Sequence, residues 1–162
     1  MIQQLNAADP VLKLDQEQTL QKWTALLRLE EAFQLAQNIK ITEAIAAFNQ
    51  VEQMDSTLVI SPDSWNRLCW DGALGGYSAQ VLTACEKAVS AATAEQRWNY
   101  QDSRGLARAL SGNSQGAIED FEVYIAKAND EKLKKQRQAW VQALRAGQNP
   151  FTKEELATLE NE

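Results

Sequence analysis

The chain reads as an all-α protein built from consecutive helical hairpins. Three observations predict this. Apolar residues recur at three- and four-residue intervals along most of the chain. Helix-starting and helix-stopping residues alternate at short intervals. No alternating or β-branched run reads as a strand. Breakers are few, with 7 glycines and 3 prolines, and Ala, Leu, Gln and Glu abound. A length of 162 residues suits one domain, able to bury a core without metal or disulfide staples.

Residues 1–15 are weakly patterned and Pro10 interrupts them. From Gln16 the spacing of Leu20, Trp23, Leu27 and Ala32 predicts a helix, its stripe widened by Leu26, Leu29 and Phe33. Asn38 to Thr42 reads as a turn, with Thr42 as the next N-cap. Ala44, Ile45, Phe48 and Val51 form that helix's apolar face. After a connector, Ser61-Pro62 is a helix start: a capping hydroxyl, then proline at the first helical position. Trp65, Leu68, Cys69 and Leu74 follow, and Gly75-Gly76 stops the helix. Ser78 is the expected cap of the next one, whose stripe is Val81, Leu82, Cys85, Ala88 and Val89. Thr93 to Gln96 fits a capping box, and Gly112 ends the helix after it. Ala117, Ile118, Phe121 and Ile125 point inward from the following helix. Asn129-Asp130 caps a helix carrying Leu133, Trp140, Val141 and Leu144. Gly147 and Pro150 close it, and Thr152 with Glu155 opens a short last helix. The expected units are hairpins at about 16–54, 62–91 and 95–128, a capping helix at 130–146 and a terminal helix at 152–160.

The chemistry-bearing residues are sparse. There is no histidine, which removes the commonest general base and metal ligand. No cofactor or metal motif is present, and no catalytic set is expected. Glu30-Glu31 and Glu154-Glu155 read as helix-surface charges. A net charge of −6 disfavours nucleic acid. No stretch approaches the ~20 apolar residues that span a bilayer, and the first residues lack the marks of a signal peptide. A cytoplasmic location without membrane insertion is expected. Two cysteines, Cys69 and Cys85, form no CxxC. They occupy crossing positions within one hairpin and are read as buried thiols acting as small hydrophobes rather than as a redox pair.

An internal ruler repeats. Gly105 is followed by Ala117, Phe121 and Tyr124; Cys69 by Val81, Cys85 and Ala88; Ala32 by Ala44, Phe48 and Val51. The offset is 37 residues from Ala32 to Cys69 and 36 from Cys69 to Gly105. In the third hairpin, Gly105, Ala107, Gly112, Ala117, Ile118 and Phe121 resemble the tetratricopeptide-repeat (TPR) family, whose unit is about 34 residues of helix-turn-helix. Trp65, Leu68, Val81 and Ala88 match that pattern in the second. Cys69 stands where the family prefers Gly or Ala, and Cys85 where it prefers an aromatic. The first hairpin has Ala32, Ala44 and Phe48 but lacks the early Trp. Three segments between Ser64 and Leu156 are also similar to the C-terminal TPR region of bacterial, notably cyanobacterial, multi-domain signalling proteins, which implies linked upstream domains if the chain is a fragment.

The resemblance implies a right-handed α-α superhelix with a concave groove lined by the first helix of each hairpin. It implies a protein-binding scaffold or adaptor that holds a peptide or helix of a partner protein. The groove-facing positions it implies are Leu29, Phe33, Asn66, Trp70, Asn99, Asp102 and Leu106. Asn66 and Asn99 would hydrogen-bond a peptide backbone, and Trp70 would be the anchor. With no cation at Asn99 and Asp102, recognition of a carboxylate tail is not expected. Arg104 and Arg108 are read as pairing with Asp102, Glu119 or Asp120. Lys132, Lys134, Lys135 and Arg137 are read as the solvated face of the capping helix. A subunit docked permanently in a larger assembly is the alternative, and it predicts an apolar patch outside the groove.

Overall fold

The computed structural model describes residues 10–159, with side chains from Gln16 onward. Eight helices and no strand occur among the described residues: α1 (Pro10–Gln37), α2 (Ile41–Met54), α3 (Pro62–Leu74), α4 (Ser78–Ala91), α5 (Arg97–Leu110), α6 (Ser114–Lys127), α7 (Glu131–Arg145) and α8 (Lys153–Leu159). The fold is all-α. Neighbouring helices pack in pairs, α1 with α2, α3 with α4 and α5 with α6, and α7 lies against α6.

Most predicted boundaries are present with their physical cause. Ser61 Oγ accepts the Ser64 N–H at 3.2 Å, and Pro62 opens α3. Gly76, Gly112 and Gly147 follow helix ends with φ of +85°, +88° and +71°, the left-handed geometry that glycine adopts without a Cβ penalty. Asp130 Oδ1 accepts from the N–H of Lys132 and Leu133, and Thr152 Oγ1 from that of Glu155.

Other boundaries differ. α1 begins at Pro10 rather than after it, because a proline at the first helical position lacks only an N–H that has no intrahelical partner. The rest of the segment expected to be weakly patterned, 1–9, lies outside the described residues. Thr42 does not cap α2: the helix already starts at Ile41, and Ile39 turns the chain with φ +58°. Ser78 lies inside α4, with Tyr77 at the cap position. Thr93 and Gln96 bond side chain to side chain at 3.1 Å, not side chain to backbone, and α5 starts at Arg97.

The predicted apolar stripe of α1 is also corrected. Ala25, Ala32 and Ala36 face the core, while Leu20, Trp23 and Leu27 are 67%, 63% and 72% exposed. At 3.6 residues per turn, the two sets lie roughly 170° apart around the helix. The small residues win the inward side because α2 approaches closely there, with Ala44 and Ala47 fully buried.

Aromatic contacts carry the core between units. Phe48 meets Phe33 and Trp65, with ring centroids 5.5 and 5.0 Å apart, and so joins the first hairpin to the second. Phe121, Trp140 and Phe151 cluster at 5.0–6.3 Å and close the far end. Trp140 also donates Nε1–H to Glu155 at 2.7 Å. Glu155 is therefore a half-buried acceptor rather than a plain surface charge. Gly105 is required by packing: a Cβ there would lie 2.8 Å from a ring carbon of Phe121.

The Cys69–Cys85 pair departs from the sequence reading. The two residues are fully buried and joined as a disulfide, not held as free thiols.

Candidate functional site: a groove lined by α1, α3, α5 and α7

α3 supplies the middle of the groove. Its inward residues, Trp65, Leu68, Cys69, Gly72 and Ala73, are buried. The opposite edge therefore presents Asn66, Arg67, Trp70 and Asp71. They look into a cavity of about 400 Å³ whose other wall is Asn99, Asp102 and Ser103 of α5, Tyr124 of α6, and Leu133 and Arg137 of α7. Two smaller depressions continue towards α1. One, of about 340 Å³, lies between Ala36, Gln37 and Ile39 and the Trp70–Leu74 edge; the other, of about 250 Å³, lies between Phe33 and Leu68. Arg67 borders all three hollows and Trp70 borders two.

The structure brings together Asn66, Trp70, Asn99 and Asp102 in one cavity. Phe33 lines the adjoining depression. Leu29 is half-buried against the core and lines none of the three. Leu106 is corrected: it is 0% exposed and belongs to the core. It lies one turn along the face of α5 from Asp102, the face on which α7 sets Arg137, so it has no surface to offer a ligand.

Arg137 is the residue that sequence reasoning misplaced. It is 2% exposed, not solvated. Its Nη2 donates to Asp102 Oδ2 at 2.8 Å, and Nε donates to both carboxylate oxygens at 3.2 Å. The guanidinium also lies over Trp140 at 4.5 Å and Tyr124 at 5.2 Å. The missed signal was spacing. Arg137 stands three residues before Trp140 and four after Leu133, on the apolar side of α7.

Two ion pairs lie in the groove. Arg137 and Asp102 neutralise each other. Arg67 Nε meets Asp71 Oδ2 at 3.3 Å. Burial pushes the Asp71 carboxyl above its ordinary range, and the charge and hydrogen bond of Arg67 oppose that rise. Asp63, at the start of α3, accepts a hydrogen bond from the Tyr100 hydroxyl. Burial, then that hydrogen bond and the Asp63 charge, push the Tyr100 phenol up to about 12. Asp63 and the largely exposed Arg67 keep charge at the edge of the groove, and the other groups it offers are uncharged. The Asn66 Oδ1 atom is buried and has no hydrogen-bond partner, Trp70 is half-buried, and Asn99 is exposed. A buried acceptor left unmet costs about 1–3 kcal/mol, so Asn66 Oδ1 is a locally unfavourable point in the wall of the groove.

Arg104 and Arg108 lie outside the groove. Both donate to the buried Asp120 and both reach Glu86, at 2.6–2.9 Å. Neither Asp102 nor Glu119 is their partner in these ion pairs. Burial alone would lower the Arg104 pKa, but its bonds to Asp120 and Glu86 raise it. This four-charge cluster fastens α4, α5 and α6 together. Among the described residues, no group of His, Cys, Asp and Glu has the arrangement to hold a metal ion, and no helix is long and apolar enough to cross a membrane.

Fold and site together define the class: an all-α protein of stacked helical hairpins with a groove along one side. No protein-family model matches the chain, and no curated protein or solved structure matches it.

Proposed function

We propose that the protein is a TPR-like interaction module that binds a segment of a partner protein in the groove of α1, α3, α5 and α7. The observation that carries this reading is the single cavity that the side chains of Asn66, Trp70 and Asn99 line together. Amide groups donate and accept at once, which suits the alternating groups of a peptide backbone. An aromatic face beside them suits one apolar side chain. No catalytic role is proposed.

The test is a selection of displayed random peptides on the protein, followed by calorimetry. Trp70→Ala and Asn66→Ala are expected to weaken the selected peptides at least tenfold, and Leu27→Ala to leave them unchanged. Peptides that bind all three variants alike would remove the groove from the reading.

One observation favours a second reading, a subunit docked in a larger assembly. Leu20, Trp23 and Leu27 form an exposed apolar ridge on the side of α1 away from its core-facing alanines. In that case Trp23→Ala, and not Trp70→Ala, abolishes the association, and light scattering of the isolated chain shows self-association that Leu20→Glu removes.

A scaffold role in bacterial signalling rests on the family resemblance alone. The expected cytoplasmic location is opposed by the Cys69–Cys85 bond, since disulfides form and persist in oxidising compartments. We place the protein's working site in such a compartment.

A further inference from the structure

The three hairpins of the ruler solve the same packing problem in two ways. Sixteen residues separate the crossing pair in each: Ala32 and Phe48, Cys69 and Cys85, Gly105 and Phe121. In the third hairpin the glycine lies directly against the phenyl ring. In the first, alanine and phenylalanine are both fully buried. In the second, two cysteines stand at these positions, with Cα atoms 4.9 Å apart. The helices are already held close one turn further on, where a Cβ on Gly72 would lie 2.3 Å from Val81 Cγ1.

We propose that Cys69 and Cys85 form an oxidative modification site, where a disulfide takes the place of the small residue and aromatic ring buried at these positions in the other two hairpins. Both residues are 0% exposed. An external reagent therefore cannot reach either sulfur in the closed hairpin, so the bond is installed before α3 closes on α4. The co-reactant is a disulfide donor, either a small-molecule disulfide or a disulfide-exchange protein. One cysteine thiolate attacks a donor sulfur and expels the first donor thiolate. The second cysteine thiolate then attacks the mixed disulfide at the protein sulfur and expels the other. Two protein thiols are oxidised, one donor disulfide is reduced to two thiols, and the two protons that the cysteines lose are taken up by the expelled donor thiolates. The same burial makes the finished bond resistant to reductant until the hairpin opens. α3 carries Asn66 and Trp70, so the lock holds the central wall of the groove, but the inference stands without any assumption about what the groove binds.

The experiment compares oxidised and reduced wild-type protein with a Cys69→Ala, Cys85→Phe variant, which copies the first hairpin's own pair. Closing a loop of this length changes the unfolding equilibrium by about a hundredfold. The oxidised protein is expected to melt well above the reduced one. The variant is expected to melt above reduced wild type and to ignore dithiothreitol. The reduction rate of the folded protein is expected to level off at high dithiothreitol, because opening limits it. Coincident melting of oxidised and reduced wild type overturns the lock. A reduction rate that climbs in proportion to dithiothreitol overturns installation before closure. Should the variant fail to fold, the two wild-type measurements decide both points.

Discussion

Arg137 shows how much one side chain depends on its neighbours. In isolation it belongs to a basic run on a terminal helix, and Lys132 and Lys135 do face solvent. Three bonds to Asp102 and two aromatic faces instead draw it into the closing interface. Removing one member of a buried ion pair leaves the other charge without compensation. Arg137→Ala is therefore expected to destabilise the fold by about 3–5 kcal/mol in urea unfolding. Replacing both members together, Asp102→Leu with Arg137→Met, is expected to cost much less, because no orphan charge remains. Tyr100 gives a second residue-scale prediction. Its phenol ionises near 12 in the fold against an ordinary 10.0, so between these values the unfolded chain has lost a proton that the folded chain keeps. Stability is fully present below pH 10 and falls as pH rises towards 12. Tyr100→Phe is expected to flatten that part of the curve of melting temperature against pH.

At the scale of elements, the α1–α2 connection is where local preference and the fold disagree. Ile39 is β-branched and 64% exposed, yet it holds φ +58°. The left-handed region costs a non-glycine residue about 1–2 kcal/mol. Few contacts are lost on truncation at so exposed a position. Ile39→Gly is thus expected to raise the melting temperature by a few degrees, an effect of about 1 kcal/mol. A fall would mean that the Ile39 wall of the depression beside Trp70 contributes more than the strain removes. α1 teaches a related lesson. Its bulky apolar residues read as the inward stripe, but a helix pair in close contact selects small ones, and alanines took the inner side.

The whole molecule is not uniformly tight. α4 packs closely on α5, and the Glu86, Arg104, Arg108 and Asp120 cluster and the Tyr100–Asp63 bond tie the second and third hairpins together. α2 meets α3 more sparsely, with the Phe48 and Trp65 rings in contact. In a stack, stability is the sum of each unit and its interfaces. Hydrogen exchange is therefore expected to be fastest in α1 and α2 and slowest in α5 and α6. Equal protection across all three hairpins would contradict this account.

The sequence alone determined the helices, their order and most of their ends. Those features follow from spacing, caps and glycines, all of which act within a few residues. The family resemblance that the sequence carries also implied Asn66, Trp70, Asn99 and Asp102 as groove positions, and these four line one cavity. Tertiary structure decided what the ruler does not carry: the burial of Leu106 in the core and of Arg137 against Asp102, the outward turn of Leu20, Trp23 and Leu27, and the joining of Cys69 to Cys85. The physical reason is the same in each case. Exposure, charge pairing and sulfur proximity depend on a neighbouring helix brought in from a distant part of the chain, and no local pattern records how near it comes.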